Sequence, residues 1–147
     1  MASLSSGVHG RAGAFSVVLA IELWERFGFY GMQGIVLLYM VQRLGFADAQ
    51  ANVLWGTFAA VTYAAPALGG WIGDAVLGSR RTMVLGGTVL TLGYALLGLD
   101  RGGQLALFTA LSVIALGNGF FKANSANLVR RIYEGDDAQI DVAFTYY

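Results

Sequence analysis

Glu22, Glu25 and Arg26 lie within five residues of one another inside an apolar segment running from about Phe15 to Val41. Each charge costs a few kcal/mol at bilayer depth even on the lenient insertion scale, and Glu22 lies about 10 Å inside the segment's start. On an α-helix Glu22 and Arg26 are i and i+4, and Glu25 is i+3 from Glu22. With Glu22 set at 0°, Arg26 falls near roughly 40°, Gln33 near 20°, Tyr30 near 80° and Glu25 near −60°. The polar side chains thus share one arc of roughly 140°, leaving Leu23, Phe27 and Ile35 on the opposite face. A polar stripe of this kind faces a cavity or another helix. Two carboxylates against one guanidinium leave an acid free to exchange a proton, which points to an ion or proton pathway or a substrate site. The alternative is a structural ion pair that locks two helices together.

A second anomaly is Lys122, which follows Gly117-Asn118-Gly119-Phe120-Phe121 and shares a helical face with Asn118 (i−4) and Ser125 (i+3). Directed inward, it is a partner for the carboxylates or for an anionic substrate group. Directed outward, its ammonium snorkels to the headgroups. A third motif joins two apolar segments: Gly70-Trp71-Ile72-Gly73-Asp74-Ala75-Val76-Leu77-Gly78-Ser79-Arg80-Arg81. Gly69 and Gly73 form a small-xxx-small pair suited to close helix approach. Asp74 is expected to pair with Arg80 or Arg81, or to cap a helix end, a charged latch for helices that move and re-lock. Pro66 frees the carbonyl of Thr62 and is expected to kink the helix beside Tyr63, placing Tyr63 at a cavity wall.

These residues need a scaffold, and the composition specifies its kind. The chain of 147 residues is 56% hydrophobic and 12% charged, with 21 glycines and a mean hydropathy of +0.61. That leaves too few charges to cover the apolar surface of a soluble domain. Zero net charge argues against a nucleic-acid partner. The lack of cysteine excludes disulfides, thiol catalysis and cysteine-ligated metals. His9 stands alone in the polar N-terminal stretch, without the partners a metal site would need.

Four segments are long enough to cross about 30 Å of hydrocarbon: about 15–41, 52–77, 82–99 and 105–128. Period-two alternation is absent, which argues against a transmembrane barrel. The first segment is too long and too charged for a signal-peptide core. Arg11, Arg80, Arg81, Arg130 and Arg131 fall on one side of this arrangement, Arg43 and Arg101 on the other. The excess places the N-terminus in the cytoplasm. Residues 142–147, ending in Tyr146-Tyr147, read as the start of a fifth span.

Four stretches together resemble the proton-dependent oligopeptide transporters, a branch of the major facilitator superfamily. Glu22-Leu23-Trp24-Glu25-Arg26-Phe27-Gly28-Phe29-Tyr30-Gly31 is similar to that family's E-x-x-E-R-F-x-Y-Y-G signature. The Gly70–Arg81 stretch resembles the superfamily's loop between helices two and three. Gly117–Asn124 resembles the family's G-x-G-x-F-K-x-N stretch, and Ala143–Tyr147 the entry to its fifth helix. One position departs: Phe29 stands where the signature has its first tyrosine, so no hydrogen-bonding role carries over to it.

The resemblance implies an all-α membrane protein: four transmembrane helices and the start of a fifth, part of the N-terminal six-helix bundle of a transporter whose C-terminal bundle lies outside this sequence. It implies proton-coupled import of di- and tripeptides by alternating access, with protons as the coupling ion, no other cofactor and no enzymatic step. Glu22, Glu25 and Arg26 would link protonation to substrate binding. Arg26 and Lys122 would form a positive pocket for the peptide carboxylate, with Tyr30, Tyr63, Asn118 and Tyr147 lining the site. Gly70, Asp74, Gly78, Arg80 and Arg81 would form the gating loop. The implied location is a bacterial inner membrane, with the lipid bilayer and the remaining helices as partners. A four-helix multidrug exporter, or a non-transporting membrane subunit stapled by ion pairs, would account for fewer of these motifs.

Overall fold

Long apolar runs punctuated by glycine favour helices that pack through close backbone approach rather than through bulky interdigitation. In the computed structural model, which describes residues 2–99 and 103–147 and the side chains from residue 10 onward, they form five α-helices. These are α1 (Ala2–Gln42), α2 (Asp48–Ile72), α3 (Ser79–Gly98), α4 (Gln104–Ile132) and α5 (Asp137–Tyr146), and no strand occurs among the described residues. Expectations for Asp100, Arg101 and the side chain of His9 lie outside the described residues.

Several boundaries differ from the sequence reading: α2 runs from Asp48 and ends at Ile72, short of 77, and α4 reaches Ile132, past 128. Helix α1 continues through the polar N-terminal stretch back to Ala2, well before Phe15. Helix α5 starts at Asp137, inside the acidic stretch, because the Asp136 carboxylate accepts the Gln139 N–H at 3.2 Å and caps it. By length and hydropathy, α3 and α4 each qualify as membrane-spanning among the described helices, with window means of 1.2 and 1.6. Glu22, Glu25 and Arg26 dilute the apolar character of α1.

Helix α4 is the hub, and the other four helices all lie against it. Its Gly117 and Gly119 explain how. A Cβ at Gly119 would run into Ala65 of α2, and one at Gly117 into the backbone of Leu90 on α3. The neighbours reciprocate: Gly69 meets the Gly119 carbonyl, Gly86 the Phe121 backbone, and Gly93 Ile114. The small-residue pair Gly69 and Gly73 therefore serves the α2–α4 seam, whereas α2 and α3 barely touch each other.

The main core draws Met32, Val36 and Met40 from α1, Trp55 and Phe58 from α2, Leu90 from α3, and Leu107, Leu111, Ile114 and Phe121 from α4. A smaller cluster of Val18, Val129 and Ala143, covered by Phe15, Tyr133 and Tyr147, seats α5 against α1 and α4. The buried stripe of α1 is thus Val18, Glu22, Glu25, Met32, Val36 and Met40, with spacings of three, four and seven residues. Both glutamates belong to the core-facing side of their helix. Relative to the arc expected from sequence, the inward face is turned towards Glu25, so Arg26 sits at its edge and Tyr30 points outward.

The α2–α3 connection is tighter than a loop. Helix α2 continues through Pro66 and passes into a π-helical turn over Gly73–Leu77. The buried Asn124 side chain of α4 donates to the Gly69 carbonyl at 2.9 Å and to the Phe120 carbonyl at 2.8 Å. It lies where a Cβ on Gly73 would otherwise be. An outside donor on the Gly69 carbonyl competes with the ladder bond from the Gly73 N–H, at the point where α geometry gives way to π. Gly78 then reverses the chain at φ 79° and ψ 144°, a conformation that favours glycine, and Arg80 and Arg81 fall within the first turn of α3. Asp74 does not pair with either arginine: its carboxylate accepts Asn127 Nδ2 at 3.2 Å, because the π turn directs it at α4.

These two contacts should differ in weight. Asn124→Leu removes a doubly bonded buried donor and crowds Gly73, and is expected to cost about 2 kcal/mol or more. Asp74→Ala removes one exposed hydrogen bond and should cost under about 0.5 kcal/mol. Thermal midpoints in detergent would show the difference, and equal losses would mean that Asn124 does not hold the seam.

Candidate functional site

The charged stripe of α1 meets the polar face of α4 in two layers. In the first, Asn118 Nδ2 donates to Glu25 Oε1 at 2.7 Å. In the second, Ser125 Oγ and Tyr147 Oη each donate to Glu22 Oε2 at 3.1 Å, and the two hydroxyls lie 2.6 Å apart. Asn118 and Ser125 are seven residues apart, two helical turns, so one face of α4 serves both carboxylates. Glu22 is 1% exposed. Its other oxygen, Oε1, lies 3.4 Å from Arg26 Nη2, the one ion pair within 4 Å among the described residues. The Arg26 side chain is 40% exposed, so its guanidinium bridges the buried carboxylate and the open side.

Glu25, Arg26, Asn118 and Lys122 line one narrow cleft together with Phe29, Tyr30, Thr62 and Tyr63. Here α1 contributes one acid, Glu25, and the guanidinium, α4 the ammonium and the amide, and α2 an aromatic and a hydroxyl, while Glu22 lies behind the cleft. Lys122 makes no ion pair within 4 Å among the described residues; its Nζ sits 5.6 Å from the centre of the Tyr63 ring. With no carboxylate within 4 Å among the described residues, the ammonium is free to meet an anion. Tyr30 and Tyr63 are 56% and 65% exposed, so they form the rim of the cleft rather than its floor. Phe29, at the position lacking the signature hydroxyl, stacks on Phe58 with ring centres 6.0 Å apart and touches Trp55 at 5.9 Å. An apolar ring suits that aromatic nest.

Of the residues read from sequence as substrate-lining, Asn118 is directed at Glu25 and Tyr147 at Glu22. Arg26, Tyr30, Tyr63 and Lys122 remain around the cleft itself. Gly70, Asp74, Gly78, Arg80 and Arg81 belong to the seam and turn described above. Ser125, read from spacing as sharing the Lys122 face but not as a site residue, and Thr62, read only for its backbone carbonyl, complete the site. Spacing had already placed Ser125 on that face; Thr62, buried on α2, offered no such signal.

Residues 80–147 match the model of the POT family. Over those residues, nearly half of the chain, it is similar to that family. It is 43% identical over 145 residues to the dipeptide and tripeptide permease A of Escherichia coli, covering 99% of this chain and 29% of that protein. Its identity to the permease of the same name from Proteus mirabilis is 46% over 134 residues, 91% of this chain and 28% of that protein. A solved structure from work on substrate recognition in proton dependent oligopeptide transporters superposes with a TM-score of 0.88 at 54% identity, covering 93% of this chain and 30% of the other. A POT family transporter bound to 5-aminolevulinic acid gives a TM-score of 0.85 at 31% identity, covering 90% and 28%. The chain therefore spans less than a third of the length of these relatives. The likeness carries the fold, and the matching helices lie within a larger architecture in those proteins.

Proposed function

We propose that these helices are the opening part of a proton-coupled symporter that imports di- and tripeptides by alternating access. The observation that carries this reading is the cleft itself. Two buried carboxylates are held by side-chain donors, and beside them stand a half-exposed guanidinium and an ammonium without an acidic partner within 4 Å. Fixed structural staples would pair every charge. The arrangement instead keeps cations for a ligand anion and acids for a proton. The names of the relatives support peptides as that ligand and favour an importer over a four-helix drug exporter.

In this reading Arg26 and Lys122 receive the peptide carboxylate, Tyr30 and Tyr63 flank it, and Glu22 and Glu25 tie the pocket's charge to protonation. The group for the peptide's amino terminus is supplied by helices beyond these residues. Helices α1 to α4 cross a bacterial inner membrane, with the N-terminus cytoplasmic, and α5 begins a fifth span. They form part of a six-helix bundle facing a second one, and the Asp74–Asn127 contact sits at the cytoplasmic gate. The exposed apolar residues Leu23, Trp24, Phe27, Leu68 and Leu105 face lipid or those further helices.

The test is Glu25→Gln in the complete transporter that carries these residues. Glutamine keeps an oxygen for Asn118 but cannot titrate, so the fold should survive. Proton-driven dipeptide uptake is expected to fall by about a hundredfold or more, the loss of a charge interaction in a low-dielectric site. Undiminished uptake driven by a pH gradient would rule out Glu25 as a coupling group. A complete protein that moves no peptide would rule out the reading as a whole.

A further inference from the structure

Glu22 is enclosed by three helices, and the hydroxyls that hold it come from two of them. We propose that Ser125 and Tyr147 are positioning residues that fix Oε2 of Glu22 so that Oε1 faces Arg26. This inference rests on the proposed role of Arg26 and the two glutamates. Three distances define the arrangement: each hydroxyl lies 3.1 Å from Oε2 and the two lie 2.6 Å from each other. Each hydroxyl has one proton to give. Both can donate to Oε2, or one hydroxyl can donate to the other while that one donates to Oε2, a chain in which each bond strengthens the next. If Ser125 instead gives its proton to the Lys122 carbonyl, Tyr147 can still donate to Oε2. Oε2 is held in each of these arrangements. Oε1 has no hydrogen-bond donor besides the guanidinium 3.4 Å away, so its direction is set from the Oε2 side.

The sources of the two hydroxyls give the arrangement its consequence. Ser125 sits fully buried on α4, one turn from Lys122, and also contacts the Lys122 carbonyl at 3.0 Å. Tyr147 caps α5 and is carried by the small cluster of Val18, Val129 and Ala143. A displacement of α5 against α1 therefore withdraws a donor from Glu22 and changes what Arg26 meets, without any contact between α5 and Arg26. The ionisable groups around Glu22 are Arg26 and Glu25 on α1, Lys122 on α4 and Tyr147 on α5. On α2, Tyr63 lies beneath Lys122, and Asp74 is engaged by Asn127.

In the complete transporter, Tyr147→Phe and Ser125→Ala are each expected to lower proton-driven dipeptide uptake about tenfold, the scale of one hydrogen bond to a charged group. Both should also displace the pH profile of uptake, whereas Tyr146→Phe, at an exposed neighbouring position, should change neither. A merely structural role would scale uptake with the amount of folded protein and leave the profile in place; that result would overturn the assignment, as would unchanged uptake. A second measurement needs no peptide: the pH dependence of the thermal midpoint in detergent. Tyr147→Phe should alter it in the native background and have no further effect in Glu22→Gln. An equal effect in both backgrounds would overturn the assignment even if the protein proved to carry a different substrate.

Discussion

Lys122→Ala in the complete transporter is expected to reduce peptide uptake about a hundredfold while leaving the protein folded and inserted. The two halves of that expectation have separate causes. Lys122 holds no carboxylate within 4 Å among the described residues, and the buried Glu25 keeps its hydrogen bond from Asn118 when the ammonium is removed. Its contact with the Tyr63 ring, at 5.6 Å, is worth about 0.5–1 kcal/mol. The thermal midpoint should therefore move little. A bound peptide carboxylate would lose a charge partner inside a partly desolvated cleft, a loss of about 2–5 kcal/mol, which spans a hundredfold and more. Dipeptide binding to the purified protein, measured beside its melting curve, separates the halves. Lost folding with undiminished uptake per folded molecule would make Lys122 a staple of the helix bundle instead.

The largest effect on assembly should come from Gly69→Ala. The added carbon would fall on the Gly119 carbonyl and close to the Phe120 backbone. Neither can rotate away as a side-chain tip could, so α2 must lift from α4. The same displacement breaks the Asn124 bond to the Gly69 carbonyl. A cost of at least about 3 kcal/mol is expected, the upper end for overpacking, seen as aggregated or poorly inserted protein. Gly34→Ala is the control: nothing stands within 4 Å of its added carbon, and better helix propensity should leave stability unchanged or improve it by up to about 1 kcal/mol. Equal behaviour of the two variants would contradict the packing of the α2–α4 seam.

Much of this protein was legible in its residues. Low charge, long apolar runs and abundant glycine dictate packed membrane helices, because so few charges leave no other way to solvate the surface. Glu22, Glu25, Arg26 and Lys122 announced themselves by their cost: a charge is rare in such segments, so its mere presence is informative. Helical periodicity also set which residues share a face, and it correctly left Leu23, Phe27 and Ile35 on the exposed side of α1.

Periodicity gives spacing around one helix and is silent about which arc meets a neighbour. Only packing decided that Glu25 lies inside with Met32 and Val36 while Tyr30 lies at the rim, because the core of α4 selected the apolar side of the stripe. Partner choice was likewise tertiary. Asp74, four residues from Gly78 and six from Arg80, suggested a local ion pair, yet the π turn aims it at Asn127 across the seam. The meeting of Glu22, Ser125 and Tyr147 joins positions more than a hundred residues apart, through helices whose separation is set by glycines on other faces. The residues determined which groups this protein must satisfy inside a membrane; the close approach of its backbones determined who satisfies whom.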